Sequence, residues 1–271
     1  MSEIGSGQPI LIVPGNNGDA FPLIPLMAEL QGMRILALNR PGGGLSDGMD
    51  HRKVDFRSFA VETLASVLDA FGLKDIPMIA HSIGGQWSLW LALDRPEYVS
   101  KLVLLGVPGN LLSTSPPLAL RLTTIPVLNQ FVYDLVMPSS PEDALRGLAF
   151  MGHGEETLGQ LSNAMKECFY YFQKLPNAKV SSLSLMRKVN RLRGSRPEIR
   201  LDTAALQRVQ QPTMFLWGSN DPFGSIAVGR GIADLLPDAR FHGVEGGGHL
   251  PWLDAPVACG QWARAFILGD G

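Results

Sequence analysis

The sequence predicts an α/β fold: a mostly parallel, doubly wound sheet that carries an inserted helical segment. Three observations point there. Short apolar runs recur as continuous stretches, the pattern of strands buried on both faces of a parallel sheet. Stretches of helical periodicity lie between them. From about Asn110 to Leu206 the alternation stops, and it resumes only at Gln211.

Taken in order, the predicted strands are Ile10–Val13, Met33–Leu38, Ile76–Ala80, Lys101–Val107, Thr213–Trp217 and Arg240–Val244. The clearest helix starts at Asp55, a residue suited to capping an N-terminus, and stops at Gly72. Phe56, Phe59, Ala60, Leu64, Val67, Leu68 and Phe71 form its apolar stripe. A second helix is predicted from Ile83 to about Arg95, closed by Pro96. The break in the pattern reads as several helices with proline-rich joints at Ser115-Pro116-Pro117 and Pro138 to Pro141. A stretch of roughly a hundred residues is too long for a structureless loop. The division is therefore a core of residues 1–109 and 207–271 and an inserted helical layer of residues 110–206. Plain packing of a small helical subdomain explains its Cys168-Phe169-Tyr170-Tyr171-Phe172 run. The arginines between Arg187 and Arg200 fit a solvated helix face or mobile loop better than an anion site.

Composition excludes several function classes. Hydrophobic residues make up 45% of the 271 and charged residues 18%, the balance of a compact chain. A formal charge of −2 and a pI near 6.2 give no electrostatic reason to expect nucleic acid as a partner. Cys168 and Cys259 cannot build a disulfide framework, and two buried thiols are a simpler reading than one bridge. Met1 to Pro9 has neither the basic flank nor the apolar core of a signal peptide, and no apolar run reaches a membrane span. The expectation is a cytoplasmic location. Oligomeric state is not legible.

Chemistry enters at Ile76-Pro77-Met78-Ile79-Ala80-His81-Ser82-Ile83-Gly84-Gly85, which sets a serine between a predicted strand and a predicted helix. A serine on so sharp a turn needs small residues two before and two after it, and Ala80 and Gly84 meet that need. The helix N-terminus aims backbone N–H groups at the site, so the Ile83 N–H can stabilise a negatively charged oxygen. The bland alternative is a serine that merely caps the helix.

This segment resembles the G-x-S-x-G nucleophile elbow of the α/β-hydrolase family, and the likeness continues through the core. Val13-Pro14-Gly15-Asn16-Asn17-Gly18 lies where that family carries its His-Gly oxyanion loop, and Asn39-Arg40-Pro41-Gly42-Gly43-Gly44-Leu45-Ser46 is similar to its Asp-Arg-Pro-Gly-x-Gly-x-Ser turn. Trp217-Gly218-Ser219-Asn220-Asp221-Pro222 resembles the segment of the family's acid, and Gly246-Gly247-Gly248-His249-Leu250-Pro251-Trp252 that of its histidine. The inserted helices stand where such enzymes carry a cap. Three departures are present: Ala80 opens the elbow in place of glycine, Asn39 replaces an aspartate, and Pro14 replaces a histidine. The resemblance implies an oxyanion donor one position past Gly15, which the Asn16 backbone N–H supplies.

A serine needs a base, and the base needs a carboxylate to hold its tautomer. Of five histidines, His249 follows the last predicted strand and three glycines, and fits the order serine, acid, histidine that this fold uses. His81 adjoins the serine and reads as structural support, His51 and His153 lie in polar stretches and read as solvated, and packing or exposure accounts for His242. Asp221 is the candidate acid; Asp254, before Ala255-Pro256, looks like a turn or cap residue. The histidines lack metal-ligand spacing, and the glycine runs are not phosphate loops, so neither metal nor cofactor is expected.

The sequence thus implies a serine hydrolase acting through Ser82, Asp221 and His249, with the Asn16 and Ile83 N–H groups as oxyanion donors. The expected substrate is a small to medium hydrophobic ester or lactone. Trp87, Phe223 and Trp252 are candidates for its pocket, although core packing accounts for each. Carbon–carbon bond hydrolysis, acyl transfer and cofactor-free lyase chemistry use the same three residues, and a ligand-binding receptor that kept the scaffold is the non-enzymatic alternative.

Overall fold

The computed structural model describes residues 1–269. Its strands are β1 (Ser2–Ile4), β2 (Gln8–Val13), β3 (Met33–Ala37), β4 (Ile76–His81), β5 (Val99–Leu105), β6 (Asn190–Arg191), β7 (Gly194–Ser195), β8 (Thr213–Gly218) and β9 (Ala239–Val244). Seven of them form one sheet in the order β1-β3-β2-β4-β5-β8-β9, while β6 and β7 pair as a separate hairpin. Every neighbouring pair in the large sheet is parallel except β1 with β3.

All six predicted strands are present. The sequence reading missed β1, a Ser-Glu-Ile segment exposed along its whole length, because it has no apolar run to betray it. It pairs antiparallel on the sheet edge, with Ser2 opposite Ala37. At the other edge β9 departs from expectation: only Val244 is buried there, so this strand is not covered on both faces.

The pleat sorts the strand residues into two cores. Leu11, Val13 and Leu36 join one, Ile10, Ile12 and Ile35 the other. Helices Phe56–Ala70 and Ile83–Asp94 cover the first face, where Phe56 meets the rings of Trp87 and Trp90 edge-on at 5.8 and 5.7 Å. Each such aromatic contributes about 2–3 kcal/mol by leaving water. Helix Phe56–Ala70 begins as predicted, with the Asp55 carboxylate accepting from the Ser58 N–H at 2.9 Å. It ends at Gly72, whose φ of +63° turns the chain, and the Leu73 N–H bonds back to the Leu68 carbonyl. Helix Pro256–Leu268 covers the second face, where Cys259 is buried; Cys168 is partly exposed, and both thiols are free.

Between β5 and β8 lie helices Leu118–Leu122, Leu128–Val136, Leu145–Phe150, Glu155–Gln160, Asn163–Gln173, Ala178–Val189 and Thr203–Leu206. The β6–β7 hairpin corrects the expectation that this segment holds no strand; of its arginines only Arg191 lies in a strand, while Arg187 is on helix Ala178–Val189 and Arg193, Arg196 and Arg200 are in turns or loop. Gly194, at φ +119°, reverses the chain there, and the Arg196 Nε donates to the Arg187 carbonyl. The inserted helices and the loops after β2, β4, β5, β8 and β9 line one cavity at the carboxyl edge of the sheet. That edge is where open α/β sheets place their ligands. Among the described residues no helix is long and apolar enough to cross a membrane.

Candidate active site

Ser82 is the joint between β4 and helix Ile83–Asp94, and its backbone is forced to φ 51° and ψ −123°. A non-glycine residue there costs of the order of 1–3 kcal/mol and persists only where its surroundings fix it. The neighbours do so. A Cβ on Gly84 would overlap the carbonyl oxygens of Val13 and Pro14, so the helix can begin this close to β2 only with glycine there. Ser82 makes no side-chain bond to its own helix, which removes the simple capping role.

Its Oγ instead lies 3.0 Å from the Nε2 of His249, a residue 167 positions away. The other ring nitrogen, Nδ1, lies 2.8 Å from Asp221 Oδ2. A carboxylate only accepts, so Nδ1 carries the proton and Nε2 is left to accept from the serine hydroxyl. Asp221 is itself fixed: Oδ2 also accepts from the Val107 N–H at 3.0 Å and Oδ1 from the Phe223 N–H at 2.9 Å. Both His249 and Asp221 are buried.

Two of the remaining histidines, His81 and His153, brace this arrangement. His81 is buried, its Nε2 donates to the His249 carbonyl at 3.2 Å, and its ring lies 4.8 Å from that of His249. Burial, helped by the neighbouring His249, holds its imidazole well below the usual range and therefore neutral. His153, expected in solvent, is buried. Its Nδ1 pairs with Asp254 at 2.9 Å, while its Nε2 accepts from the Leu250 N–H. Asp254, expected only to cap a turn, also accepts from the Gly248 N–H at 3.0 Å and the Thr157 hydroxyl at 2.7 Å. The His249 N–H donates to the Met151 carbonyl. The loop that carries His249 is thus tied to the inserted helices on both sides of the imidazole. His51, also expected in solvent, is buried against Ser184, and burial lowers it to about 4. His242 is partly buried and stacks on Trp262 at 4.7 Å.

The arginine-proline turn supports the loop after β2. Arg40 is wholly buried and stacks on Trp87; its Nε donates to the Pro14 carbonyl at 3.0 Å and its Nη2 to those of Gly15 and Asn16. The two loops touch backbone to backbone, since a Cβ on Gly43 would collide with the Gly18 Cα. Asn39 accepts from the Ala20 N–H, which ties the turn to the loop after β2. Asn16 and Ile83 line the cavity with Ser82 and His249.

Of the pocket candidates only Phe223 reaches that cavity, with its ring 4.4 Å from His249. Trp87 and Trp252 are corrections. Neither has exposed surface; Trp87 packs under Arg40 and against Phe56 and Phe59, and Trp252 donates to the Pro22 carbonyl with its ring beside His81. Sequence reading missed Asp19, which also lines the cavity. It is buried, and neither carboxyl oxygen is within hydrogen-bond geometry of another described group. Burial pushes it up to about 7, against the pull of nearby backbone N–H groups and the Arg40 charge. No spacing marks it, because its environment comes from the turn of Arg40 and the helix of Phe169. Among the described residues, no group of three or more His, Cys, Asp or Glu could hold a metal ion.

A family model described as the alpha/beta hydrolase fold matches residues 8–256. The chain belongs to the α/β-hydrolase family. Among relatives of this α/β-hydrolase is a pimeloyl-[acyl-carrier protein] methyl ester esterase of Aromatoleum aromaticum, 27% identical over 88% of this chain and 89% of that protein. Another is a 2-hydroxy-6-oxononadienedioate/2-hydroxy-6-oxononatrienedioate hydrolase of Pseudomonas sp, 26% identical over 86% and 72%. A solved meta-cleavage product hydrolase of Pseudomonas fluorescens IP01 superposes on the α/β-hydrolase with a TM-score of 0.77, at 17% identity, covering 100% of this chain and 94% of that one.

Proposed function

We propose that the protein is a serine hydrolase that cleaves an ester-type bond, a carboxylic ester or lactone, of a hydrophobic small molecule. The observation that carries this reading is the continuous path from Ser82 Oγ to His249 Nε2 at 3.0 Å and from His249 Nδ1 to Asp221 Oδ2 at 2.8 Å. His249 takes the hydroxyl proton as Ser82 attacks the acyl carbon, and Asp221 stabilises the imidazolium that results. The N–H groups of Ile83 and Asn16 receive the oxyanion, His249 returns the proton to the leaving alcohol, and the acyl group stays on Ser82. Water, deprotonated by His249, then attacks the acyl-enzyme, releasing the acid and restoring the serine. The inserted helices, residues 110–206, act as the cap over this chemistry, and Phe223 forms part of the substrate wall.

A relative named as a methyl ester esterase supports the ester reading. Relatives named as 2-hydroxy-6-oxononadienedioate/2-hydroxy-6-oxononatrienedioate hydrolases favour the second reading, cleavage of a carbon–carbon bond by the same residues. A dioate is a dicarboxylate and calls for cations, yet no lysine or arginine lines the cavity among the described residues, and Asp19 does. Esters are therefore the better fit. Purified Ser82→Ala protein should lose at least about 10³-fold of its turnover of p-nitrophenyl esters and its labelling by a fluorophosphonate. Undiminished turnover in that variant refutes the mechanism. Activity on vinylogous diketones alone rejects the ester reading.

A further inference from the structure

Next to the cavity around Ser82, of about 250 Å³, lies a second chamber of about 450 Å³ that the ester chemistry leaves unused. It is enclosed chiefly by three inserted helices. Val132, Leu135 and Val136 come from helix Leu128–Val136, Phe150 from helix Leu145–Phe150 and Leu183 from helix Ala178–Val189. Several polar side chains in its wall are occupied by the protein itself. Thr123 donates to the Leu120 carbonyl at 2.6 Å, the Tyr133 hydroxyl lies 3.4 Å from the Gln173 carbonyl, and Arg146 pairs with Asp143. Burial pushes the Tyr133 phenol up to about 12, so it stays neutral. The wall a ligand would meet is largely hydrocarbon.

Seven residues line both spaces, so the two abut. The shared wall includes Met151, Met186 and Gly147: two flexible thioethers and a residue with no side chain. A Cβ at Gly147 would meet nothing within 4 Å, which places open space at the junction. The chamber reaches the surface between Leu135, Val136 and Phe150, which line it while being 68%, 63% and 44% exposed. An apolar rim on an apolar chamber, joined to the reacting serine past a glycine and two methionines, suits a flexible aliphatic chain. A small ester would leave all of it empty.

We infer that the second chamber binds one long unbranched aliphatic limb of the substrate, acyl or alcohol, making the protein a hydrolase of long-chain esters. This rests on the ester reading above and narrows its substrate from small or medium to long-chain. The test measures kcat/KM on p-nitrophenyl butanoate against dodecanoate, and on butyl against dodecyl acetate. On one limb the long ester should be favoured by at least about tenfold, the worth of about two buried methylenes at roughly three- to fourfold each and a modest fraction of the whole added chain. Ser182→Phe, which fills the chamber away from Ser82, should lower that ratio at least fivefold. Gly147→Leu, which enters open space at the junction, should do the same by an independent route should one variant fold poorly.

Ser82-dependent turnover with no long-chain preference on either limb overturns the inference and leaves the ester mechanism standing. A wild-type ratio in a folded plug variant overturns it as well. Calorimetry on Ser82→Ala protein separates the two claims without turnover. On at least one limb the long ester, p-nitrophenyl dodecanoate or dodecyl acetate, should bind at least tenfold more tightly than its short counterpart, and Ser182→Phe in that background should abolish the difference. Equal affinities on both limbs overturn the chamber assignment whatever the enzyme hydrolyses; tight binding of the long ester without ester turnover in the wild type sinks the mechanism alone.

Discussion

Asp19→Asn should stabilise the protein at neutral and alkaline pH and do little at acid pH. The carboxyl is buried and lacks a hydrogen-bond partner among the described residues, and its pKa is raised from 3.8 to about 7. Well below 3.8 it is protonated in both folded and unfolded chains, so the ionisation contributes nothing. As pH rises through 3.8 the unfolded chain releases the proton while the folded one retains it, and stability falls with each further pH unit. Each unit is worth about 1.4 kcal/mol, and the fall ends near pH 7, where the folded carboxyl also ionises. The accumulated difference is of the order of 4 kcal/mol, a large part of the roughly 5–15 kcal/mol that holds a typical protein folded. An asparagine amide has no proton to release over this range, so the variant should escape the decline. Urea unfolding of both proteins at pH 4.5, 6.0 and 7.5 measures it: the midpoints should diverge as pH rises, with m unchanged. Parallel midpoints across that range would show that the carboxyl is solvated or paired, and the account of its environment would fall.

Other consequences can be checked alongside. Asp221→Asn should lower kcat on p-nitrophenyl esters by about 10³–10⁴-fold, because the amide no longer holds the proton on His249 Nδ1; a loss of under tenfold would show that the carboxylate is dispensable. Asp254→Asn should leave Ser82 and His249 in place but loosen the loop at Gly248, lowering kcat about tenfold while the fluorophosphonate still labels the protein; unchanged kcat would make the His153–Asp254 pair irrelevant to the site. Gly84→Ala should be destabilising by more than about 2 kcal/mol, since its Cβ would press on the Val13 and Pro14 carbonyls; a wild-type melting temperature would contradict the packing of the elbow. Trp87→Phe should lower stability with the KM for esters unaltered, because Trp87 lies under Arg40 and outside the cavity. A raised KM without loss of stability would return it to the substrate wall.

Features whose signals are local could be read directly from the chain. Most of the sheet strands announce themselves as apolar runs because both faces are covered, and the Asp55 and Gly72 ends of the long helix announce themselves through capping chemistry. Ser82 was legible for the same reason: a strand-to-helix turn this tight needs small flanking residues, and Ala80 and Gly84 are neighbours in the chain. Features that depend on residues far apart in sequence emerged only from the folded molecule. His51 and His153 sit among polar neighbours in the chain, yet packing against Ser184 and Asp254 buries both. Trp87 and Trp252 have the composition of a pocket wall but are enclosed by Arg40, Phe56 and Pro22. Asp19 draws its raised pKa from burial beneath segments contributed by distant stretches, and the second chamber exists only where the inserted helices meet the loops after β2 and β3. Neighbouring residues set dihedral preference and periodicity over a few positions, whereas burial and the meeting of side chains are set by the whole fold.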